Sequence, residues 1–165
     1  MVIAPENFRD EELLHTREEL ERAGAKVTIA STRTSPAHGM LGAKVTPDLK
    51  LEEVRVEDYD AVVFVGGVGA SGYFNHERAL GLAREAYAKG KLTCAICIAP
   101  VILANAGVLE GKRATVFNGE FVRMLESKGA RYTGKPVEVD GKVITANGPM
   151  AAREFGQTIA RELGL

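Results

Sequence analysis

A chain of 165 residues is long enough to bury one sizeable core, and a single domain spanning residues 1–165 is expected. Its 21 basic and 22 acidic side chains are interspersed and leave a net charge of −1, which argues against a nucleic-acid-binding stripe or a charged tail. No apolar run approaches the ~20 residues of a membrane span, no secretory leader is visible, and two cysteines three apart make no disulfide framework, so a cytoplasmic protein is expected.

Strands and helices alternate along the chain. Val2–Ala4 reads as an apolar strand; central strands usually run ~5–6 residues, so the sequence leaves open whether the start lies at Met1 or upstream of it. Asp10 is placed to cap a helix with Leu13, Leu14 and Leu20 on one face and Gly24 beyond its end. Val27–Ala30 is a second strand, and Thr32–Gly42 a loop of small residues, Pro and Gly. Ala61–Val65 is a continuous apolar run, as for a parallel strand buried on both faces. Gly66–Gly72 is a glycine-rich loop, and Glu77–Lys89 a helix stopped at Gly90. Leu92–Ile96 is a buried strand, and Ala99–Ala106 a helix ended by Gly107. Arg113–Phe117 is predicted as a strand, with a helix near Glu120–Lys128. Val137–Val139 and Lys142–Thr145 flank Asp140-Gly141, which predicts a type I′ hairpin, and a final helix runs from about Met150 to Leu163.

Repeated βα units predict a mostly parallel sheet with helices on both faces and an added β-hairpin. Ligands of such sheets bind beyond the carboxyl ends of the strands. Pro5–Glu12, Gly66–Gly72 and Cys97-Ile98 reach that edge.

Cys97 stands where a buried strand meets a helix, the position of a nucleophile elbow. Free amides and the positive end of the helix are expected to favour its thiolate. Cys94-Ala95-Ile96-Cys97 is formally C-x-x-C, but Cys94 lies inside the strand and reads as a small buried hydrophobe. Gly67-Val68-Gly69-Ala70-Ser71-Gly72 fits G-x-G-x-x-G, so dinucleotide binding through Gly67–Gly72 is an alternative. Against it, Tyr73-Phe74-Asn75 separate the glycines from the helix, and the next strand ends in Cys97 rather than an acid. The alternative role for these glycines is backbone: the amides of Gly67 or Val68, with that of Ile98, form an oxyanion site over Cys97. Glu11 is expected to face solvent, whereas Glu12 can turn inward, its carboxyl raised in pKa beside the thiol. His15, one turn beyond Glu12, is a candidate accessory proton carrier. His38 and His76 have no partner visible in the sequence.

Ala95-Ile96-Cys97-Ile98-Ala99-Pro100, Val65-Gly66-Gly67 and Phe8-Arg9-Asp10-Glu11-Glu12-Leu13 resemble the ThiJ/PfpI superfamily, as do Val108–Lys112 and Val137–Gly148. The resemblance covers nearly the whole chain. It implies a flavodoxin-like three-layer α/β sandwich related to the glutamine amidotransferase domain, assembled as a homodimer or higher homo-oligomer. It also implies Cys97 as the reactive cysteine, Glu12 as its buried glutamate and the Gly67, Val68 and Ile98 amides as the oxyanion site. This chain departs from the pattern at three places. Ile98 stands where PfpI-type hydrolases carry His, Val68–Phe74 contains no acid, and Phe117 stands where some members place Tyr or His. A cysteine peptidase mechanism therefore lacks its base, a loss of ~10²–10⁴-fold.

The expected function is that of a cofactor- and metal-free, cysteine-dependent hydrolase or lyase acting on small reactive carbonyls, of the glyoxalase or deglycase type. Its partner is a small electrophile, with neither nucleic acid nor membrane. The alternatives are a non-enzymatic redox sensor or stress protein with a reversibly oxidised Cys97, the disfavoured peptidase, and the dinucleotide-binding domain.

Overall fold

A computed structural model describes residues 1–165. In chain order the strands are β1 (Glu6–Phe8), β2 (Ala30–Ser31), β3 (Ala37–Gly39), β4 (Lys44–Val45), β5 (Leu49–Lys50), β6 (Ala61–Phe64), β7 (Leu92–Ile96), β8 (Arg113–Ala114), β9 (Arg131–Tyr132), β10 (Val137–Asp140) and β11 (Val143–Ala146). The helices are α1 (Asp10–Arg22), α2 (Glu77–Ala88), α3 (Pro100–Asn105), α4 (Phe121–Ser127) and α5 (Ala152–Glu162).

The main sheet runs β5-β2, then Val2, then β6-β7-β11-β10. Every pairing but the last is parallel. The predicted first strand is thus central but one bridge long: Val2 pairs with Ala30 on one side and Phe64 on the other. Its amide donates to Val63 at 2.7 Å, and the Ile3 amide to Ala30 at 2.9 Å.

Alternation along the strands builds two cores, one on each face. Val62, Phe64, Ala95 and Val143 pack with Leu82, Ala83, Ile102 and Leu103 from α2 and α3. Val63, Cys94, Ile96 and Ile144 face the other way, with Leu20 of α1 and Phe155 and Ile159 of α5. The result is the flavodoxin-like α/β sandwich that the resemblance implies. On the second face, buried Glu19 of α1 accepts hydrogen bonds from Arg153 and Gln157 of α5, at 2.9 and 3.1 Å.

Several local expectations need correction. Asp10 is the first residue of α1 rather than its cap, and its carboxylate accepts the Leu41 and Ala43 amides at 2.8 and 2.7 Å. Leu14, next to buried Leu13 on a 3.6-residue period, points to solvent. The loop predicted over Thr32–Gly42 contains β3, which pairs with β1 and β4 in a small separate sheet. The second strand starts three residues later than expected, at Ala30. The strand predicted over Arg113–Phe117 keeps regular pairing only at Arg113–Ala114, and its partner is β9. In the hairpin Asp140 pairs with Val143, so the two-residue turn is Gly141-Lys142. Gly141 has φ +61° and Lys142 a negative φ, which is the II′ arrangement with glycine first, not I′. His76 caps α2, its ring accepting the Ala79 amide at 3.2 Å. No helix is long and apolar enough to cross a membrane.

Candidate active site

The five buried residues of β7 end at Ile96, and the chain turns sharply at Cys97 before α3. Cys97 has φ +66°, the left-handed region that costs a side-chain-bearing residue about 1–3 kcal/mol. The surrounding backbone holds it there. Its amide donates to the Ala146 carbonyl at 2.9 Å, and its carbonyl accepts the Phe117 amide at 2.8 Å. The thiol belongs to the core on the α1–α5 face and is 7% exposed. Cys94 is wholly buried one turn of strand below, and burial raises its thiol pKa far above the ordinary range.

Glu12 reaches this thiol from the first turn of α1 and is wholly buried. Its Oε1 accepts the Gly66 amide at 3.0 Å, while buried Oε2 has no hydrogen-bond partner of good geometry. Gly66 is what lets the two side chains converge: a Cβ there would stand 2.5 Å from both Cys97 Cβ and Glu12 Oε1. Burial pushes the Glu12 carboxyl up to about 8, against the pull of Cys97 and the Gly66 amide. Burial, and then the Glu12 charge, push the Cys97 thiol up to about 12. The expected thiolate-favouring field is present but outweighed. The Gly67 and Ile98 amides do lower the thiol pKa, yet α3 begins only at Pro100 and burial dominates.

The Gly67 and Ile98 amides make no backbone hydrogen bond of their own, so both are free to bind an anion at the sulfur. The structure thus brings Cys97, Glu12, Gly67 and Ile98 together. Val68 follows Gly67 in a 3-10 turn, Val68–Tyr73, with its side chain 59% exposed, and its amide is not among the groups acting on the thiol. His15 is half-buried on α1 and makes no hydrogen bond to Cys97 or Glu12. His38 bonds Glu6 at 2.8 Å, outside this cluster.

Arg9 is the residue that sequence reasoning did not single out. Its guanidinium holds Glu11 through two hydrogen bonds, at 2.9 and 3.1 Å, and its amide donates to the Gly66 carbonyl at 2.9 Å. It therefore locks the glycine-rich loop to the start of α1. A lone arginine in a turn has no spacing signal by which sequence could flag it.

The glycines themselves serve backbone-to-backbone packing. Gly67 has φ +98°, and a Cβ on it would strike the Arg9 amide and lie 2.6 Å from the Asn7 carbonyl. Gly67→Ala combines a disfavoured φ with that clash, so a destabilisation of about 1–3 kcal/mol is expected. A urea unfolding midpoint unchanged from wild type would contradict this packing. No group of three or more His, Cys, Asp or Glu stands together to hold a metal. A cavity at the other end of the sheet, among Leu20, Val27, Tyr59, Lys91 and Ile159, contains neither Cys97 nor Glu12.

A family profile described as DJ-1/PfpI family matches residues 1–162. The chain belongs to that family. It is 44% identical over 165 residues to a Methanocaldococcus jannaschii protein, covering 99% of this chain and 80% of that one. It is 32% identical over 149 residues to the deglycase PfpI of Pyrococcus furiosus, covering 90% and 89%. It is 29% identical over 163 residues to a glutathione-independent glyoxalase of Caenorhabditis elegans, covering 99% and 87%. Among solved structures, a ThiJ/PfpI domain protein from Brachyspira murdochii superposes with a TM-score of 0.96 at 33% identity, covering 99% of this chain and 94% of that one.

Proposed function

We propose that this DJ-1/PfpI family member is a cysteine-dependent enzyme acting on small α-oxoaldehydes and related reactive carbonyls. The observation that carries the reading is the buried Cys97–Glu12 pair beneath two free amides. The names of the Pyrococcus and Caenorhabditis relatives agree with it.

The chemistry follows from those groups. Cys97 Sγ bonds to the aldehyde carbon, and the C=O π pair moves onto the oxygen, which the Gly67 and Ile98 amides receive. The thiol proton passes to the Glu12 carboxylate, which returns it to that oxygen and completes a hemithioacetal. The same carboxylate then shifts a proton from the former aldehyde carbon to the neighbouring carbon, while the hydroxyl proton passes from the first oxygen to the second, oxidising one carbon and reducing the other without an external oxidant. Water hydrolyses the resulting thioester, releasing a 2-hydroxy acid and the free thiol. With Ile98 unable to carry a proton, Glu12 is the one acid–base group in the reaction.

Two tests follow. Methylglyoxal incubated with the protein should yield lactate above the buffer rate, and a rate equal to buffer would sink the enzymatic reading. The pH profile is a second one. A carboxyl with a pKa of about 8 is protonated at neutral pH, so kcat/KM should rise through pH 7–9 as the pair gives up its first proton. A profile flat across that window would remove Glu12 from the reaction.

The proposal includes a homodimer or higher homo-oligomer. It is supported by Leu14 of α1 and fully exposed Met150, apolar side chains on two packed segments. Light scattering at micromolar concentration checks it.

A further inference from the structure

Three phenylalanines from two segments, the turn after the glycines and the β8–α4 connection, meet at the sheet edge beside Cys97. Phe74 ends the 3-10 turn after the glycines, Phe117 follows β8, and Phe121 begins α4. Phe74 and Phe121 stand edge to face at 6.4 Å, and Phe117 and Phe121 at 6.5 Å. Phe74 and Phe121 pack against the core cluster that contains Cys97 and Ile98. Phe117 is tied to the nucleophile's own backbone, its amide donating to the Cys97 carbonyl at 2.8 Å. The wall is fixed from behind, because Asn105 Nδ2 donates to the Phe74 carbonyl at 2.8 Å.

Phe117 is 44% exposed. An aromatic face half in water beside a buried nucleophile gains by being covered. The polar side chains near the thiol offer little to a hydroxylated substrate. Arg9 and Glu11 satisfy each other, and Glu12 is wholly buried. A sugar-like chain would lose water there without replacing its hydrogen bonds, whereas an aryl or branched alkyl group would cover Phe117.

We infer that Phe117, Phe121 and Phe74 form a specificity wall that selects electrophiles carrying an apolar, above all aryl, substituent next to the carbonyl attacked by Cys97. As a statement about substrates it rests on the carbonyl chemistry proposed above; as a statement about what the thiol's surroundings bind it does not. Phe117 is the specificity-determining residue, because it is the ring with the most surface left to cover.

The experiment has two arms. In the first, kcat/KM is measured for phenylglyoxal and methylglyoxal with wild type, Phe117→Ala and Phe117→Tyr. The phenylglyoxal-to-methylglyoxal ratio should fall about tenfold or more in Phe117→Ala, within the range by which apolar pockets discriminate, and return in Phe117→Tyr. In the second, the alkylation rate of Cys97 by iodoacetanilide is compared with that by iodoacetamide, each relative to a free thiol, by intact mass. Here the thiolate displaces iodide and no turnover is needed. Wild type should favour the anilide, and Phe117→Ala should lose the preference. If oxoaldehydes turn over but both ratios are the same in wild type and Phe117→Ala, the wall is overturned and the carbonyl chemistry stands. If nothing turns over but the Phe117-dependent alkylation preference persists, the carbonyl chemistry falls and the wall stands. Absence of that preference without turnover overturns the wall as well, as would a second copy of the chain covering Phe117.

Discussion

Cys97→Ala is expected to bring α-oxoaldehyde turnover down to, or close to, the uncatalysed rate. Removing a covalent nucleophile elsewhere costs on the order of 10⁶-fold, and nothing else here can take its place. Cys94 is wholly buried with its pKa raised, and His15 lacks a contact with the pair. Any remaining rate would come from the Gly67 and Ile98 amides, which polarise a carbonyl without attacking it. The substitution should leave the fold intact. It deletes one sulfur, and the hydrogen bonds to Ala146 and Phe117 that hold residue 97 at positive φ are made by the backbone and survive. A melting temperature within a few degrees of wild type, with turnover gone, is the expected pair of results. Iodoacetamide at alkaline pH should add once to native wild type and not at all to native Cys97→Ala. Turnover in Cys97→Ala matching wild type would transfer the activity to another group and end the proposed mechanism.

The parts of this molecule that were legible in its sequence are those carried by long, uniform patterns. Leu92–Ile96 is apolar but for Thr93 and buried throughout because both faces of β7 are covered, and its limits match expectation residue for residue. The short pieces were not legible. β3 and β4 are strands of three and two residues on the rim, set by the pairing of β3 with β1 and of β4 with β3 rather than by their own composition. The hairpin was found but its turn was displaced by one residue, because Asp140 completes a strand pair instead of entering the turn. In the site, a thiol at a strand–helix junction and a carboxylate in the first turn of α1 were readable. Their electrostatic balance was not. Helix position suggests a low thiol pKa, while the pKa follows desolvation, and desolvation depends on how completely Gly66 lets Glu12 and Cys97 close together. Phe117 read only as the absence of a Tyr or His; its standing as one edge of an aromatic wall required the ring geometry.

Glu12→Gln should separate the acid–base role of this carboxyl from its place in the packing. The amide keeps the shape and can still accept the Gly66 hydrogen bond at Oε1, but it cannot carry a proton between the sulfur and the substrate. Loss of a positioned acid–base group costs ~10²–10⁴-fold, so kcat/KM should fall by that factor and lose its rise between pH 7 and 9. Stability should respond in the opposite sense. The folded-state pKa of Glu12 lies near 8, raised from 4.5 by burial. Between those values the native state holds a proton that the unfolded chain has released, so this group's contribution is fully present below about pH 4.5 and is lost as pH rises towards 8. Integrated over the window, the loss is on the order of a few kcal/mol. Glutamine does not titrate. Near pH 5 the two proteins should therefore melt at similar temperatures, and by pH 8 Glu12→Gln should be the more stable. Reading the difference between variant and wild type cancels every other titration, and staying at or below pH 8 keeps Cys97 out of the comparison. Parallel stability curves for the two proteins from pH 5 to 8 would mean that Glu12 is charged in the folded state. The rise of kcat/KM between pH 7 and 9 would then lose its source, because the carboxylate that accepts the thiol proton would already be present at neutral pH.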